Sequence, residues 1–192
     1  FSIAHKREKN LKDLVLRGDP YNIKVDLLDN EKHSYVKCQK KCDSCDNYVT
    51  STPTITSYAT KRKFKIRRKT SCNSKYVVYV AYCVRCGKQG VGSTVSWKPG
   101  LANYKSHIKK RVASCKIVRH FIEDCVDQEN PSSLFRFIIV DIVNNNENLN
   151  SSTMEELLLN KEKFWIGTLV TQHQGLNGTH DWNRKRRNDK EK

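Results

Sequence analysis

The sequence has 192 residues, of which 36 are Lys or Arg and 20 are Asp or Glu, so its formal net charge is +16. A balance this basic is typical of proteins that bind polyanions such as nucleic acids. The hydrophobic fraction of 37% excludes a wholly disordered or collagen-like chain, and the apolar runs are far shorter than the roughly 20 residues of a membrane span, so no membrane partner is expected.

The beginning of the chain divides into an arm and a cysteine-rich segment. Residues 1–33 hold scattered charges and a Gly-Asp-Pro turn at 18–20, which predicts a linker arm. The stretch after Phe1 is like neither a signal peptide nor a transit peptide, so we expect an intracellular piece of a longer polypeptide. Residues 34–72 are rich in Ser, Thr and Cys and are predicted to bind zinc.

Eight cysteines are present, and their spacing indicates metal binding. Two pairs have two intervening residues, a spacing that lets one turn direct two sulfurs at one zinc ion. A disulfide framework is less favoured without a secretory signal, and the other alternative is a set of small buried thiols. The predicted zinc sets are Cys38, Cys42, Cys45 and Cys72, and then Cys83, Cys86, His120 and Cys125, with Cys115 and His107 as alternatives in the second set.

A basic run follows at residues 61–69, where seven of nine residues are cationic and Phe64 and Ile66 are interleaved. This alternation predicts a strand with one face toward phosphates, whereas the alternative is a solvated run of charge. The tail at 178–192 holds another basic patch at 184–187, interpreted as a nuclear-targeting or phosphate-binding extension, so we expect a nuclear location. The alternative interpretation, a disordered charged end, is favoured for the chain in isolation. The candidate nucleic-acid contacts are Lys61, Arg62, Lys63, Lys65, Arg67, Arg68, Lys98, Lys105, Lys109, Lys110 and Arg111.

Residues 73–177 contain six predicted elements in the order strand, strand, helix, helix, strand, helix, which indicates a small α/β core with a three-stranded sheet. Dense β-branched and aromatic runs predict the strands, and apolar positions at three- and four-residue spacing predict the helices. A capping box from Thr153 to Glu156 is expected to open the last helix after a polar loop at 144–150. The strands are predicted at 76–82, 89–94 and 134–143, the last of them central, and the helices at 101–111, 112–125 and 153–169.

The last predicted helix carries a carboxylate within its apolar face. Glu162 shares that face with four apolar residues, and acidic side chains are seldom buried without a partner. Two interpretations stay open: Glu162 is paired with one of the many cations, or it is a functional group at a cleft. The apolar residues of this face are Leu158, Trp165, Ile166 and Leu169.

An ordered set of motifs resembles the GIY-YIG nuclease domain. Its members are the triplets Val-Val-Tyr at 77–79 and Gly-Val-Gly at 90–92, the stretch 97–104, the stretch 162–165 and Gly-Leu-Asn at 175–177. Cys83 and Cys86 lie between the triplets, as in the endonuclease domain of Penelope-like retroelement polyproteins. The resemblance implies a three-stranded antiparallel sheet flanked by helices, and a cleft that nicks DNA with one divalent ion to give a primer for reverse transcription.

The resemblance also implies roles for single residues. Tyr79 matches the tyrosine that activates the attacking water, Glu162 matches the glutamate that binds magnesium or manganese, and Asn177 matches an asparagine for which we expect a positioning role. In-line cleavage of a phosphodiester needs a group that takes a proton from water and a cation that neutralises the phosphate. His107 is a candidate helper acid or base, and a surface histidine is its alternative interpretation.

Two positions depart from the family pattern. Gly90 stands where the second triplet normally has tyrosine, and Gly100 stands where the family has its catalytic arginine. Loss of the planar guanidinium predicts a weakened or inactive nuclease, because Lys98 or Lys105 would supply charge without the fork. The alternative function is a non-catalytic, zinc-stabilised module that binds DNA or RNA. The expected partners are DNA, the RNA of the element and the reverse transcriptase portion of the same polyprotein.

Overall fold

The computed structural model describes residues 34–38, 42, 44–126, 133–144 and 149–178, which belong to one compact unit over Glu31–Lys192. The predicted linker arm, part of the predicted polar loop and nearly all of the basic tail lie outside the described residues. Within the described residues, no helix has both the length and the apolar character that crossing a bilayer requires.

The sheet has three antiparallel strands, β5 (Lys75–Cys83), β6 (Gln89–Ser96) and β7 (Phe135–Ile142), in the order β6-β5-β7. The three-stranded antiparallel sheet flanked by helices is therefore confirmed. The prediction that the third strand is central was wrong, because β5 holds that place. The residues of β5 from Val77 to Ala81 are buried in an unbroken run, as expected for a strand covered on both faces.

Helices cover this sheet, and two of them differ from the prediction. Helix α1 (Trp97–Lys109) begins four residues before the predicted start, because Pro99 fits the first helical turn, where no backbone donor is needed. The predicted helix 112–125 is wrong in its first part: helix α2 is Lys116–Arg119, and a π-helical turn, His120–Asp124, continues it.

Helix α3 (Ser151–Leu169) is followed by the short helix α4 (Thr171–Gln174). The predicted capping box was wrong, because Asn150 caps α3: its Oδ1 accepts from the backbone N (2.8 Å) and the Oγ1 (2.7 Å) of Thr153. Asn is as good a cap as Ser or Thr. Asn150 has an extended backbone and the helix begins at Ser151, so Thr153 is already inside the helix and cannot be its cap. Val170 separates the two helices with a left-handed backbone, φ 56°.

The described part of the cysteine-rich segment contains four short strands and a π-helical turn, Ser44–Tyr48. The predicted strand 61–69 was wrong as one element, since only its middle and its last residue are extended and Lys61 has φ 59°. The four strands are β1 (Ser34–Val36), β2 (Thr54–Thr56), β3 (Lys63–Lys65) and β4 (Lys69–Ser71). Strand β2 pairs antiparallel with β3, and β1 pairs in parallel with β4.

Two hydrophobic clusters lie on the two faces of the sheet. One contains Tyr79 with α1 and α2 residues, and the other contains Val78 and Val80 with the apolar face of α3. The cysteine-rich segment contributes to both, with Tyr48 packed against the first and Ile55 within the second. Residues from both sides of residue 72 therefore share one core.

Candidate active site and metal centres

Tyr79 projects from the central strand toward the edge strand β6. Its cross-strand partner is Gly92, where a Cβ atom would lie 2.6 Å from Tyr79 Oη, so only glycine leaves room for the phenol. The pairing of β5 with β7 shifts register between Val78 and Tyr79, and such bulges re-aim side chains. Tyr79 is 5% exposed, and its Oη donates to Tyr104 Oη at 3.1 Å.

Burial raises the pKa of Tyr104 well above its usual value of 10.0, and the neighbouring Tyr79 raises it further. Its hydroxyl is therefore protonated throughout the neutral range. A protonated hydroxyl beside Tyr79 can accept from the neutral phenol and can also donate to a phenolate.

Glu162 reaches the same edge of the sheet from the other face. It lies on the apolar face of α3 with only 2% of its surface exposed, as the sequence pattern predicted. Ser93 Oγ donates to Glu162 Oε2 at 2.5 Å, a short charge-assisted bond. Ser93 points toward α3 because it is the cross-strand partner of Val78, which faces that helix.

Tyr79 and Glu162 line one cavity of about 90 Å³ at the edge of β6. Its lining includes Tyr79 and Tyr104 from one face of the sheet and Ser93 and Glu162 from the other, and Gly92 leaves room for the Tyr79 phenol within it. A buried carboxylate in a polar cavity offers the hard oxygen ligand that magnesium and manganese prefer. The other lining residues are Val91, Ser93, Tyr104, Cys115, Lys116, Ile117 and Asn177.

Asn177 closes the outer side of β6 at this cavity. Its Oδ1 accepts from Val91 N at 2.7 Å and its Nδ2 donates to Val91 O at 2.8 Å, so the side-chain amide pairs with the strand as a neighbouring strand would. Lys116 Nζ donates to Asn177 O at 3.1 Å. Among the described residues lining the cavity, Lys116 carries the one cationic side chain.

Gly90 and Gly100 do not line this cavity. A Cβ atom at Gly90 would lie 2.6 Å from Ile117 Cγ1 and 3.0 Å from Leu176 Cβ, so Ile117 fills the space that a tyrosine side chain would enter. A Cβ atom at Gly100 would lie 3.0 Å from Thr94 Oγ1, so a side chain there requires Thr94 to move by a few tenths of an ångström.

Other candidate residues lie away from the cavity lining. His107 Nδ1 is 2.8 Å from Ser114 Oγ, and Lys105 Nζ lies 4.5 Å from the centre of the Tyr48 ring. Arg68 Nε donates to Asp141 Oδ1 at 3.2 Å, so part of its charge is used within the fold. The described candidate cations that are exposed are Lys61, Arg62, Lys63, Lys65, Arg67, Lys98, Lys109, Lys110 and Arg111.

The first predicted zinc set comes together between β1, the π-helical turn and β4. The sulfurs of Cys45 and Cys72 are 2.9 Å apart, those of Cys42 and Cys72 3.7 Å, and those of Cys38 and Cys45 3.6 Å. A tetrahedral zinc ion with bonds of about 2.3 Å holds its sulfurs about 3.8 Å apart, so the four thiols fit one ion. Tyr35 Oη lies 3.1 Å from Cys72 Sγ.

The thiols of this first cluster differ in acidity. A hydrogen bond from the backbone of Cys45 lowers the pKa of Cys42 to about 7, against an ordinary value of 9.0. Burial raises the pKa of Cys72. The cluster therefore contains one thiol that is readily ionised at neutral pH and one that gives up its proton only to a metal or a strong base.

The second predicted zinc set also comes together, with its four ligand atoms within 4.8 Å of one another. His120 Nε2 lies 3.3 Å from Cys86 Sγ, while His120 Nδ1 lies 3.0 Å from Asp124 Oδ2. A carboxylate that accepts from one imidazole nitrogen leaves the other free to bind metal. Cys125 belongs to this cluster, whereas the alternative Cys115 lines the cavity.

Sequence reasoning missed Ser93 and Lys116 as cavity residues. Ser93 follows the second triplet directly, and its cross-strand position opposite an α3-facing residue was the available signal. Lys116 is one of 36 cations, and its neighbours in the sequence do not distinguish it from the others.

Comparison with known proteins gave structural similarity alone. No protein-family model matches the sequence, and no curated protein matches it. The chain is similar to a solved structure of the catalytic domain of homing endonuclease I-TevI, with 20% identity over 53% of this chain and 95% of that chain and a TM-score of 0.41. It is also similar to a mutant of the catalytic domain of intron endonuclease I-TevI, with 19% identity over 52% of this chain and 89% of that chain and a TM-score of 0.40.

Proposed function

We propose that the chain is a metal-dependent DNA endonuclease of the GIY-YIG type that nicks one strand. The observation that carries this proposal is the shared cavity of Tyr79 and Glu162, a phenol and a buried carboxylate from opposite faces of the sheet. In this proposal the phenol and the metal-binding carboxylate must both lie within reach of one phosphate, and the shared cavity allows this.

In this proposal Tyr79 first releases its own proton to solvent, and the resulting phenolate takes the proton from the attacking water and becomes a neutral phenol again. Tyr104 supports that role, because its raised pKa keeps its hydroxyl protonated and able to donate to the Tyr79 phenolate. Asn177 holds the backbone of Val91 and so fixes the cavity wall on which both groups depend.

Glu162 would hold the magnesium or manganese ion, and Ser93 orients that carboxylate. When bound, the ion supplies positive charge that neutralises the phosphate. The 2% exposure of Glu162 restricts water at the carboxylate, so its charge acts in a medium of low dielectric.

The absence of arginine at residue 100 predicts slow cleavage. Removing a phosphate-binding fork costs about 2–4 kcal/mol of transition-state stabilisation, which is about 30- to 1,000-fold in rate. The native chain is accordingly a weak or inactive nuclease in this proposal.

The decisive experiment restores the arginine. Supercoiled plasmid is incubated with magnesium or manganese and the native chain, Gly100→Arg, or Gly100→Arg with Thr94→Ser, which trims the side chain facing residue 100. We expect nicking to be at least about 30-fold faster with arginine, as the free energy above implies. It should be lost with Glu162→Gln and kept with the control Glu155→Gln, an exposed carboxylate on the same helix.

Failure of both arginine variants to nick at any concentration of either metal ion would overturn the enzymatic proposal. The second candidate, a zinc-stabilised module that binds DNA or RNA without catalysis, would then stand. Gly100 and the filled space at Gly90 are the observations that favour it.

The proposal also includes the origin of this chain, as the endonuclease domain of a Penelope-like retroelement polyprotein. Its support is the Cys83 and Cys86 pair between the two triplets. It implies a nuclear location, the element RNA as a further ligand and a reverse transcriptase in the same polyprotein. A nicked product whose 3′ end a reverse transcriptase can extend is the expected result, and a blocked 3′ end would contradict it.

A further inference from the structure

We infer that a groove beside the cavity binds the phosphate backbone of DNA next to the scissile bond, and that Lys116 joins the groove to the cavity. This inference rests on the proposed function and deepens it by assigning the path of the substrate. None of the groove cations belongs to the basic runs that the sequence pointed out.

The groove has a volume of about 590 Å³ and lies between the β5–β6 turn, α2 and α4. This volume is in the range of ligand-binding clefts. Its lining includes Lys88 from the turn, Lys116 and Arg119 from α2, and His173 and Gln174 from α4. Three separate elements therefore bring donors to one concave surface.

The charge of the groove suits a polyanion. Lys88, Lys116 and Arg119 oppose a single lining carboxylate, Asp124, which already accepts from His120 Nδ1 at 3.0 Å. Arg119 Nε is 4.0 Å from Glu123 Oε2, and both side chains are more than half exposed, so this pair binds the guanidinium only weakly. The guanidinium can contact a phosphate at little cost.

Lys116 is the residue common to the groove and the cavity. Its ammonium group donates to Asn177 O, at the same residue whose amide holds the cavity wall, which places the charge at the junction. A backbone that enters from the groove thus meets Lys88 and Arg119 first, then Lys116, and then the cavity with Tyr79.

The test measures binding without cleavage. A fluorescent DNA duplex is titrated with Glu162→Gln protein, with zinc retained and no magnesium or manganese added, over a series of salt concentrations. The groove variant is Lys88→Gln with Arg119→Gln, and the matched control is Lys75→Gln with Lys163→Gln, which removes equal charge outside the groove and the cavity.

Each lost phosphate contact lowers the slope of log K against log salt by about 0.9. The slope for the groove variant should be smaller by about 1.8 than the slope for the Glu162→Gln parent. Between 50 and 200 mM salt, the affinity of the groove variant should therefore fall by a factor about tenfold smaller than that of the parent. The single variant Lys88→Gln should lose about half of this slope and serves if the double variant folds poorly. Equal slopes for the groove and control variants would overturn the inference.

Lys116→Gln tests the junction in the Gly100→Arg background. We expect it to lower kcat more than tenfold and to change KM little, while Lys88→Gln raises KM. An unchanged kcat would remove Lys116 from the path. The binding test does not depend on cleavage, so the two proposals can fail separately. If no arginine variant nicks DNA, the proposed function is refuted. If the groove variant still shows the smaller salt slope, the groove remains assigned as a DNA-binding surface.

Discussion

At the scale of single residues, the cavity depends on an absent side chain. Gly92 lies opposite Tyr79, and a methyl group there would collide with the phenol. The same strand holds Ser93 against Glu162 on its other face. Two adjacent residues of β6 therefore set the positions of both proposed reactive groups.

The pKa difference within the first cluster of candidate metal ligands gives a residue-scale prediction. In the metal-free protein at pH 7, about half of Cys42 is thiolate, because its pKa is about 7 against an ordinary 9.0. After allowing for the lower nucleophilicity of a more acidic thiol, we expect alkylation about five- to tenfold faster than for a free peptide thiol. Cys72, whose pKa is raised by burial, should react last.

Mass spectrometry of iodoacetamide-treated protein measures this order. The preference for Cys42 should shrink as the pH rises toward 9, where ordinary thiols also ionise. Denatured protein, in which the eight cysteines should react alike, is the control. Equal rates for Cys42 and Cys72 in the folded protein would contradict the assigned environments.

The residues that sequence could predict are those with a spacing signal. The two Cys-x-x-Cys pairs led to both metal clusters, and the face of α3 led to the buried Glu162. Lys116 could not be found, because a cavity is formed by contacts between elements that are distant in sequence. The signal for Ser93, its place opposite Val78, depends on the register of the β5–β6 hairpin. The choice of Cys125 over Cys115 likewise depends on packing, because Cys125 ends the π-helical turn that carries His120, whereas Cys115 precedes α2.

At the scale of elements, the π-helical turn His120–Asp124 builds the second metal cluster. It brings His120 against Cys86 and places Asp124 beside the other imidazole nitrogen. Sequence reasoning expected an ordinary helix here, since spacing does not reveal a change of helical pitch. π-helical turns occur frequently at functional sites.

Asp124 gives the prediction for this element. Asp124→Ala should lower the zinc affinity of the second cluster about 10- to 100-fold, because the imidazole loses the acceptor that fixes its tautomer. Competition with a chelator measures the affinity, and the first cluster is the internal reference. Glu123→Ala, which removes a neighbouring exposed carboxylate, should leave it unchanged. Equal losses in the two variants would argue against the role of Asp124.

Element bounds were harder to predict than element types. All three sheet strands were predicted, but their order was not. Both β5 and β7 are apolar runs, so the sequence does not show which of them has a hydrogen-bonded neighbour on each edge. The start of α3 was misplaced because two good caps, Asn150 and Thr153, stand three residues apart and compete for the same role.

At the scale of the whole molecule, the cysteine-rich segment supports the sheet. Val49 forms a parallel bridge with Phe137 on β7, Thr50 N donates to Phe137 O at 2.8 Å, and Thr50 Oγ1 lies 2.9 Å from Tyr82 Oη. These contacts follow directly on the turn that carries Cys45. Metal at the first cluster would therefore stabilise one edge of the sheet.

The two clusters predict about two zinc ions per chain by elemental analysis. Cys86→Ser should lower this to about one and reduce the free energy of unfolding by more than about 2 kcal/mol, because the β5–β6 turn is released from the π-helical turn that carries His120. Cys115→Ser should keep both ions and should lower the free energy of unfolding by less, since Cys115 lies outside the clusters. Equal effects on zinc content would contradict the assigned ligands.

The amide of Asn177 has a consequence for self-association. Without it, Val91 would present an open N–H and C=O on the outer side of β6, which is the kind of surface that recruits a strand from another molecule. The Asn177 side chain thus pairs with Val91 as a fourth strand would. By doing so it prevents the edge of β6 beside the cavity from pairing with a strand of a second molecule.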